Sequence, residues 1–237
     1  MGKSATFAFF KMNMTDTPKE QGARRRMVAE LQQRGIADAA VLEAFARVPR
    51  HLFVPEFLRE RAYDQQALPI ACGQTISQPY TVALQSQLLA VRPKMKVLEI
   101  GTGSGFQAAI LHAMGAHVFS VERQRDLYLE AERRFRQCRI RVAHKHGDGY
   151  AGWPEFAPFD RILVTCAAPQ LPQTLLQQLK TGGIMVVPVG EAQQRMTRVV
   201  RTPDGGFETT DHGNYTFVPM LENKSYGADG PRTIPQK

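Results

Sequence analysis

A chain of 237 residues, 43% hydrophobic and 22% charged, can bury one substantial core, and its composition excludes a fibrous or wholly disordered protein. The net charge of +8 favours acidic partners, yet only Arg24-Arg25-Arg26 forms a tight basic cluster; Arg133, Arg134 and Arg136 read as a solvated helix face, not a nucleic-acid surface. No apolar run approaches the ~18 residues of a membrane helix, and the widely spaced Cys72, Cys138 and Cys166 fit reduced thiols better than a disulfide framework or a metal site.

In chain order, residues 1–22 read as a loose tail. Lys11 interrupts the short apolar patch from Ala5 to Phe10, no small-residue cleavage site follows, and cytoplasmic residence is expected. Met12, Met14 and Met27 leave an alternative start open. Residues 23–91 read as a helical lead-in. Met27 and Leu31 suit a helix stopped by Gly35, and Asp38 caps a second helix carrying Val41, Leu42, Phe45 and Val48. A third helix can begin at Pro55. A loop from Leu68 to Pro79 follows, then a helix from about Tyr80 to Ala90.

Residues 92–190 alternate strand and helix. The predicted strands are Lys96 to Ile100, Ala116 to Val121, Ile140 to Ala143, Arg161 to Thr165 and Ile184 to Val189. The helices are Phe106 to Met114, Arg125 to Cys138 and Leu171 to Leu179. Such alternation implies an α/β fold, a doubly wound and mostly parallel sheet covered on both faces. Residues 191–223 add antiparallel strands, Met196 to Arg201 and Phe207 to Phe217, joined by the turn Pro203-Asp204-Gly205-Gly206. Residues 224–237, rich in glycine and proline, read as a second loose tail.

The strongest chemical signal is Val97-Leu98-Glu99-Ile100-Gly101-Thr102-Gly103-Ser104-Gly105, a strand entering a glycine-rich turn before a helix. Phe106 stands where a dinucleotide fingerprint needs its third glycine. The Gly-x-Gly-x-Gly turn instead resembles the first motif of class I methyltransferases, which wraps the methionine part of S-adenosyl-L-methionine. Glu122 ends the next strand, 17 positions beyond Gly105, where a carboxylate can accept hydrogen bonds from ribose hydroxyls. Gly147-Asp148-Gly149 follows the third strand, with Asp148 a candidate acceptor for the adenine amino group. Singly, these acids read as surface residues and turns; together they fall at successive strand ends, where ligands bind in such sheets.

The lead-in loop points to the acceptor. Leu68-Pro69-Ile70 and Gly73-Gln74-Thr75-Ile76-Ser77-Gln78-Pro79-Tyr80 resemble the protein-L-isoaspartate O-methyltransferases, as do Arg47-Val48-Pro49-Arg50, Phe159-Asp160-Arg161-Ile162-Leu163-Val164-Thr165 with Ala167-Ala168-Pro169, and Val186-Val187-Pro188-Val189-Gly190. The resemblance spans about residues 23–223. It implies a repair enzyme that methylates the free α-carboxylate of L-isoaspartyl residues, with S-adenosyl-L-methionine as donor and S-adenosyl-L-homocysteine as product. It implies Ser77 as the active-site hydroxyl. It implies Gln74, Thr75, Ile76, Ser77, Gly101, Thr102, Gly103, Ser104, Gly105, Glu122, Asp148 and Gly149 as cofactor contacts, and no metal. Thr216 and Met220 depart from the family's usual Arg-Phe-Val-Pro-Leu, here Thr216-Phe217-Val218-Pro219-Met220.

An α-carboxyl titrates at roughly 3.3–3.7, so the acceptor is ionised near neutral pH and needs no base. The six histidines are scattered and read as structural or surface residues; Cys166 reads as packing and Trp153 as filling a loop under the sheet. A nucleic-acid amino methyltransferase is the main rival, but Thr165-Cys166-Ala167-Ala168-Pro169 lacks the amide or acid expected after the fourth strand. Isoaspartyl proteins and peptides are the expected partners of a monomer, with no specific nucleic acid and no membrane.

Overall fold

The structure, a computed structural model, describes residues 16–226. Most of both expected tails, with Met12 and Met14, lies outside the described residues. Helix α1 (Pro18–Gln33) starts inside the segment expected to be loose tail. Its start signal is local: Thr17 and Glu20 form a capping box around Pro18 at the first helical position. At the other end, the Ser225 backbone pairs with Arg123 and Arg125, so Lys224 to Tyr226 run along the body of the protein and not away from it.

Helix α2 (Ala39–Arg47) is capped by Asp38, whose carboxylate accepts from the Ala40 and Val41 amides. Short 3₁₀ turns at Arg50–Phe53 and Glu56–Arg61 replace the expected third helix. Strands β1 (Leu68–Pro69) and β2 (Thr75–Ile76) pair with each other in the loop before α3 (Pro79–Leu89). The core then follows as β3 (Lys96–Ile100), α4 (Phe106–Ala113), β4 (His117–Glu122), α5 (Arg125–Gln137), β5 (Val142–His146), β6 (Phe159–Val164), α6 (Gln173–Gln177), β7 (Leu179–Val189), β8 (Gln194–Arg201) and β9 (Phe207–Tyr215).

The main sheet has the order β5-β4-β3-β6-β7-β8-β9. Its first five members are parallel; β8 and β9 are antiparallel additions. Strand alternation divides the interior into two layers. Val97, Val118, Leu163 and Val186 pack under α1 to α4, whereas Leu98, Ile100, Ile162, Val164 and Met185 pack on the other face with α6. Because β3 pairs with both β4 and β6, the chain reverses direction across the sheet there, opening a crevice beyond their C-terminal ends.

Arg24, read as part of the basic cluster, and Arg134, read as solvated surface, are both turned inward. Arg24 binds the Ala46 carbonyl and pairs with Asp16, and Arg134 donates to the Ser104 carbonyl and to Glu130. Both lie on helix faces whose neighbours, Met27 and Leu31 on α1 and Leu127, Ala131 and Phe135 on α5, are buried. Helical phase therefore carries these cations into the body, where carbonyls and carboxylates satisfy them. Asp16, Glu20 and His51 come within 4.8 Å of one another, but Arg24 and Arg59 already engage the two carboxylates. Among the described residues, no helix is long and apolar enough to cross a membrane.

Candidate active site

The crevice beyond β3 and β6 begins with the turn from Gly101 to Gly105. Gly101 has a φ of +92°, and a Cβ there would lie 2.5 Å from Thr165 Oγ1. Thr165, just past β6, donates to the Ile100 and Gly101 carbonyls at 2.9 and 2.6 Å. It thus locks the two strand ends together at the switch point. Gly105 starts α4 with a φ of +88°, and a Cβ there would strike the Phe135 ring at 2.8 Å. Ser104 Oγ accepts from the Phe106 amide, which serves the same turn.

Glu122 is buried at the end of β4. Its carboxylate accepts from the Gly103 and Gln124 amides, each at 2.8 Å. Burial pushes its pKa up, and the amide hydrogen bonds oppose that shift. Gly149 forms another wall: a Cβ would lie 2.6 Å from Ile100 Cγ2 and 3.3 Å from Met220 Cε.

These groups surround a cleft that opens to solvent beyond the strand ends. Of the residues inferred from the sequence, Gln74, Thr75, Gly101, Gly103, Glu122 and Gly149 line it. Ile76, Ser77, Thr102 and Ser104 line a smaller adjoining recess. Gly105 and Asp148 line neither. The Asp148 carboxylate accepts from the Tyr150 and Asn223 amides, so its geometry is that of a loop clamp. Sequence reasoning missed Gln124, Leu127, Val218 and Leu221 on the cleft wall. Cys166 also lines it; burial pushes that thiol up to about 12, which suits packing and not nucleophilic attack.

A second groove, about 1180 Å³ with its open mouth, lies across the loop from Thr75 to Tyr80. Ser77, Tyr80, Tyr215 and Phe217 line it. Thr75, Thr165 and Val218 belong to the walls of both the cleft and the groove. Segment 216–220 is tied down between them, with the Ala167 amide bonded to the Val218 carbonyl and the Met220 amide to the Ala167 carbonyl. Among the described residues, no hydrogen bond engages Ser77 Oγ. The Ser77 carbonyl instead accepts from Arg50 Nη2 at 2.8 Å.

Comparison with known proteins identifies the family of the chain. The profile of the family described as protein-L-isoaspartate(D-aspartate) O-methyltransferase matches residues 22–225. The chain belongs to this family. A Flavobacterium johnsoniae protein-L-isoaspartate O-methyltransferase is 51% identical over 213 residues, covering 90% of this chain and all of that one. The enzyme so named from Chlorobium luteolum is 52% identical, over 86% of this chain and 93% of its own. A solved protein-L-isoaspartate O-methyltransferase superposes with a TM-score of 0.76 at 29% identity, over 84% of this chain, which spans 66% of that longer one. A Plasmodium falciparum chain solved with S-adenosyl-L-homocysteine shares the fold, with a TM-score of 0.75 at 24% identity over 84% of this chain and 99% of that one.

Proposed function

We propose that the protein transfers a methyl group from S-adenosyl-L-methionine to the free α-carboxylate of L-isoaspartyl residues in damaged proteins and peptides, leaving S-adenosyl-L-homocysteine. The observation that carries this reading is the shared wall: Thr75 and Thr165 line both the glycine-turn cleft and the groove beside Ser77. A donor in one and an acceptor in the other would meet across these residues. When bound, S-adenosyl-L-methionine supplies an electrophilic methyl group on a sulfonium with a good leaving group.

Gln74, Thr75, Gly101, Gly103, Glu122 and Gly149 would hold the donor directly. Thr102, Ser104 and Gly105 would shape the turn, Ile76 would support it from the adjoining recess, and Asp148 would fix the loop behind Gly149. The cradle fits this ligand because Gly101, Gly103 and Gly149 put side-chain-free backbone on the cleft wall. It also fits because a carboxylate stands at the end of the neighbouring strand.

The acceptor is ionised before it binds, so the protein's task is to orient it and exclude water. The Ser77 hydroxyl, with no partner of its own among the described residues, would donate one hydrogen bond to aim a carboxylate oxygen. A neutral hydroxyl orients without drawing much charge from the nucleophile. The ester then loses methanol as the adjacent backbone nitrogen attacks, and the succinimide opens partly to aspartate without help from any side chain.

A cytoplasmic monomer acting on proteins and not on nucleic acid completes the reading. The inward turn of Arg24 and Arg134 supports it by dispersing the basic clusters. The test is methanol release from two synthetic peptides differing only in isoaspartate versus aspartate, with S-adenosyl-L-methionine present. Release from the isoaspartyl peptide alone is expected. Release from neither, with donor still bound, would overturn the assignment.

A further inference from the structure

The groove beside Ser77 holds a cation that the family resemblance does not supply. Thr216 stands where that resemblance places an arginine, so segment 216–220 brings no positive charge. Arg34, at the C-terminal end of α1, does. Among the described residues it is the one charged side chain lining the groove.

Its geometry leaves it available. The guanidinium carbon lies 4.0 Å from the centre of the Tyr80 ring, a stacking contact that fixes the plane and leaves the N–H edges free to donate. Its polar contacts are long, 3.4 Å to Gln65 Oε1 and 3.9 Å to Glu30 Oε1, and both involve Nη1. Gln65 Oε1 also accepts from the Tyr80 amide at 3.1 Å, so Arg34 is tied into the foot of the helix that follows Ser77. The acceptor carboxylate itself is a poor partner, because a full ion pair would blunt the nucleophile that the reaction requires. An extended peptide advances about 3.3 Å per residue, so a flanking side chain can reach a site that the acceptor carboxylate does not occupy.

Resting on the repair reading above, we propose that Arg34 is a specificity-determining residue that pairs with an acidic side chain flanking the isoaspartate, so that the protein favours damage sites in acidic sequence.

The test uses isoaspartyl peptides carrying Glu or Gln at successive flanking positions, with methanol release read as kcat and KM at low salt. For the unmodified protein, one Glu position should lower KM about three- to fivefold relative to its Gln twin, the range of a partly exposed ion pair. The preference should shrink as salt rises. Arg34→Gln should bring the Glu/Gln ratio to about 1, and Arg34→Lys should restore part of it. Thermal midpoints confirm that both variants fold, and the salt series on the unmodified protein stands if one does not. A Glu/Gln ratio unchanged in Arg34→Gln, or no preference at any position in the unmodified protein, would overturn the proposal. Methanol from none of the isoaspartyl peptides would overturn the repair reading instead, and the proposal with it.

Discussion

At the scale of single residues, the site depends on what is missing as much as on what is present. Gly149 has no room for a Cβ against Ile100 and Met220. Gly149→Ala should therefore cost about 1–3 kcal/mol, the usual cost of overpacking, and weaken donor binding measured by calorimetry. A variant that binds S-adenosyl-L-homocysteine as tightly as the parent would refute the cradle described above. Ser77 offers one hydrogen bond from an uncharged hydroxyl to the carboxylate, worth on the order of 1–2 kcal/mol. Ser77→Ala should lower kcat about five- to tenfold with little change in donor affinity; unchanged turnover and peptide affinity would remove Ser77 from its orienting role. The glycine turn and Glu122 were legible in the sequence because spacing alone marks a strand end. The role of Thr165 was not: it closes a family-like run, but nothing in that run says its hydroxyl will bind the Gly101 carbonyl until β6 lies beside β3. Gly-Asp-Gly marked a turn, but not that the Asp148 carboxylate would accept from the Tyr150 and Asn223 amides within it.

At the scale of elements, the lead-in is the scaffold of the acceptor loop. Arg50, fully buried, donates to the Ala62 and Ser77 carbonyls and lies 4.8 Å from the centre of the Phe106 ring at the start of α4. One side chain thereby links the Ser77 loop to the helix that follows the glycine turn. Burial lowers its pKa to about 9, which still leaves it protonated at neutral pH. Arg50→Met keeps the bulk but leaves two carbonyls without a donor. It should cost about 2–4 kcal/mol in denaturant unfolding and raise the peptide KM more than the donor Kd. Equal effects on both ligands would mean that Arg50 supports the core in general and not the loop. The alternation of β3 to β7 was legible from hydrophobic runs, and the α2 start from Asp38. The start of α1 was readable in Thr17-Pro18-Lys19-Glu20, but the surrounding polarity masked it. The depth of Arg50 was not readable, because a basic residue after a proline gives no sign that two backbone segments will close over it.

At the scale of the whole molecule, buried titratable groups set a narrow window of greatest stability. Glu99 sits on the inner face of β3, bonded to Ser120, which bonds Thr102 and through it His144. Burial raises Glu99 from its ordinary 4.5 to about 8. Between those values the native state holds a proton that the unfolded chain has lost, so stability falls as pH rises through the window. Glu122, also raised by burial, adds a contribution of the same sign. His144 runs the other way. Burial lowers it from 6.5 to about 3, outweighing the Glu132 carboxylate 3.2 Å from Nδ1. The unfolded chain then binds the extra proton, and stability falls as pH drops from 6.5 towards 3. Glu20 extends this acid limb: burial opposes its ionisation, but hydrogen bonds from Arg59 and Thr17 hold it down to about 2. The two limbs oppose each other between pH 4.5 and 6.5, where the unfolding free energy should peak. Above pH 6.5 the carboxylates act without His144. Glu99→Gln removes the larger of their contributions, so its stability relative to the parent should improve between pH 5.5 and 8.5, by up to about 3 kcal/mol. Urea unfolding of both proteins at the two pH values measures this directly, and any constant cost of the amide cancels in the comparison. Parallel changes in the two proteins would show that Glu99 is ionised in the native state. The Ser120 hydroxyl would then be holding a buried carboxylate and not a carboxylic acid.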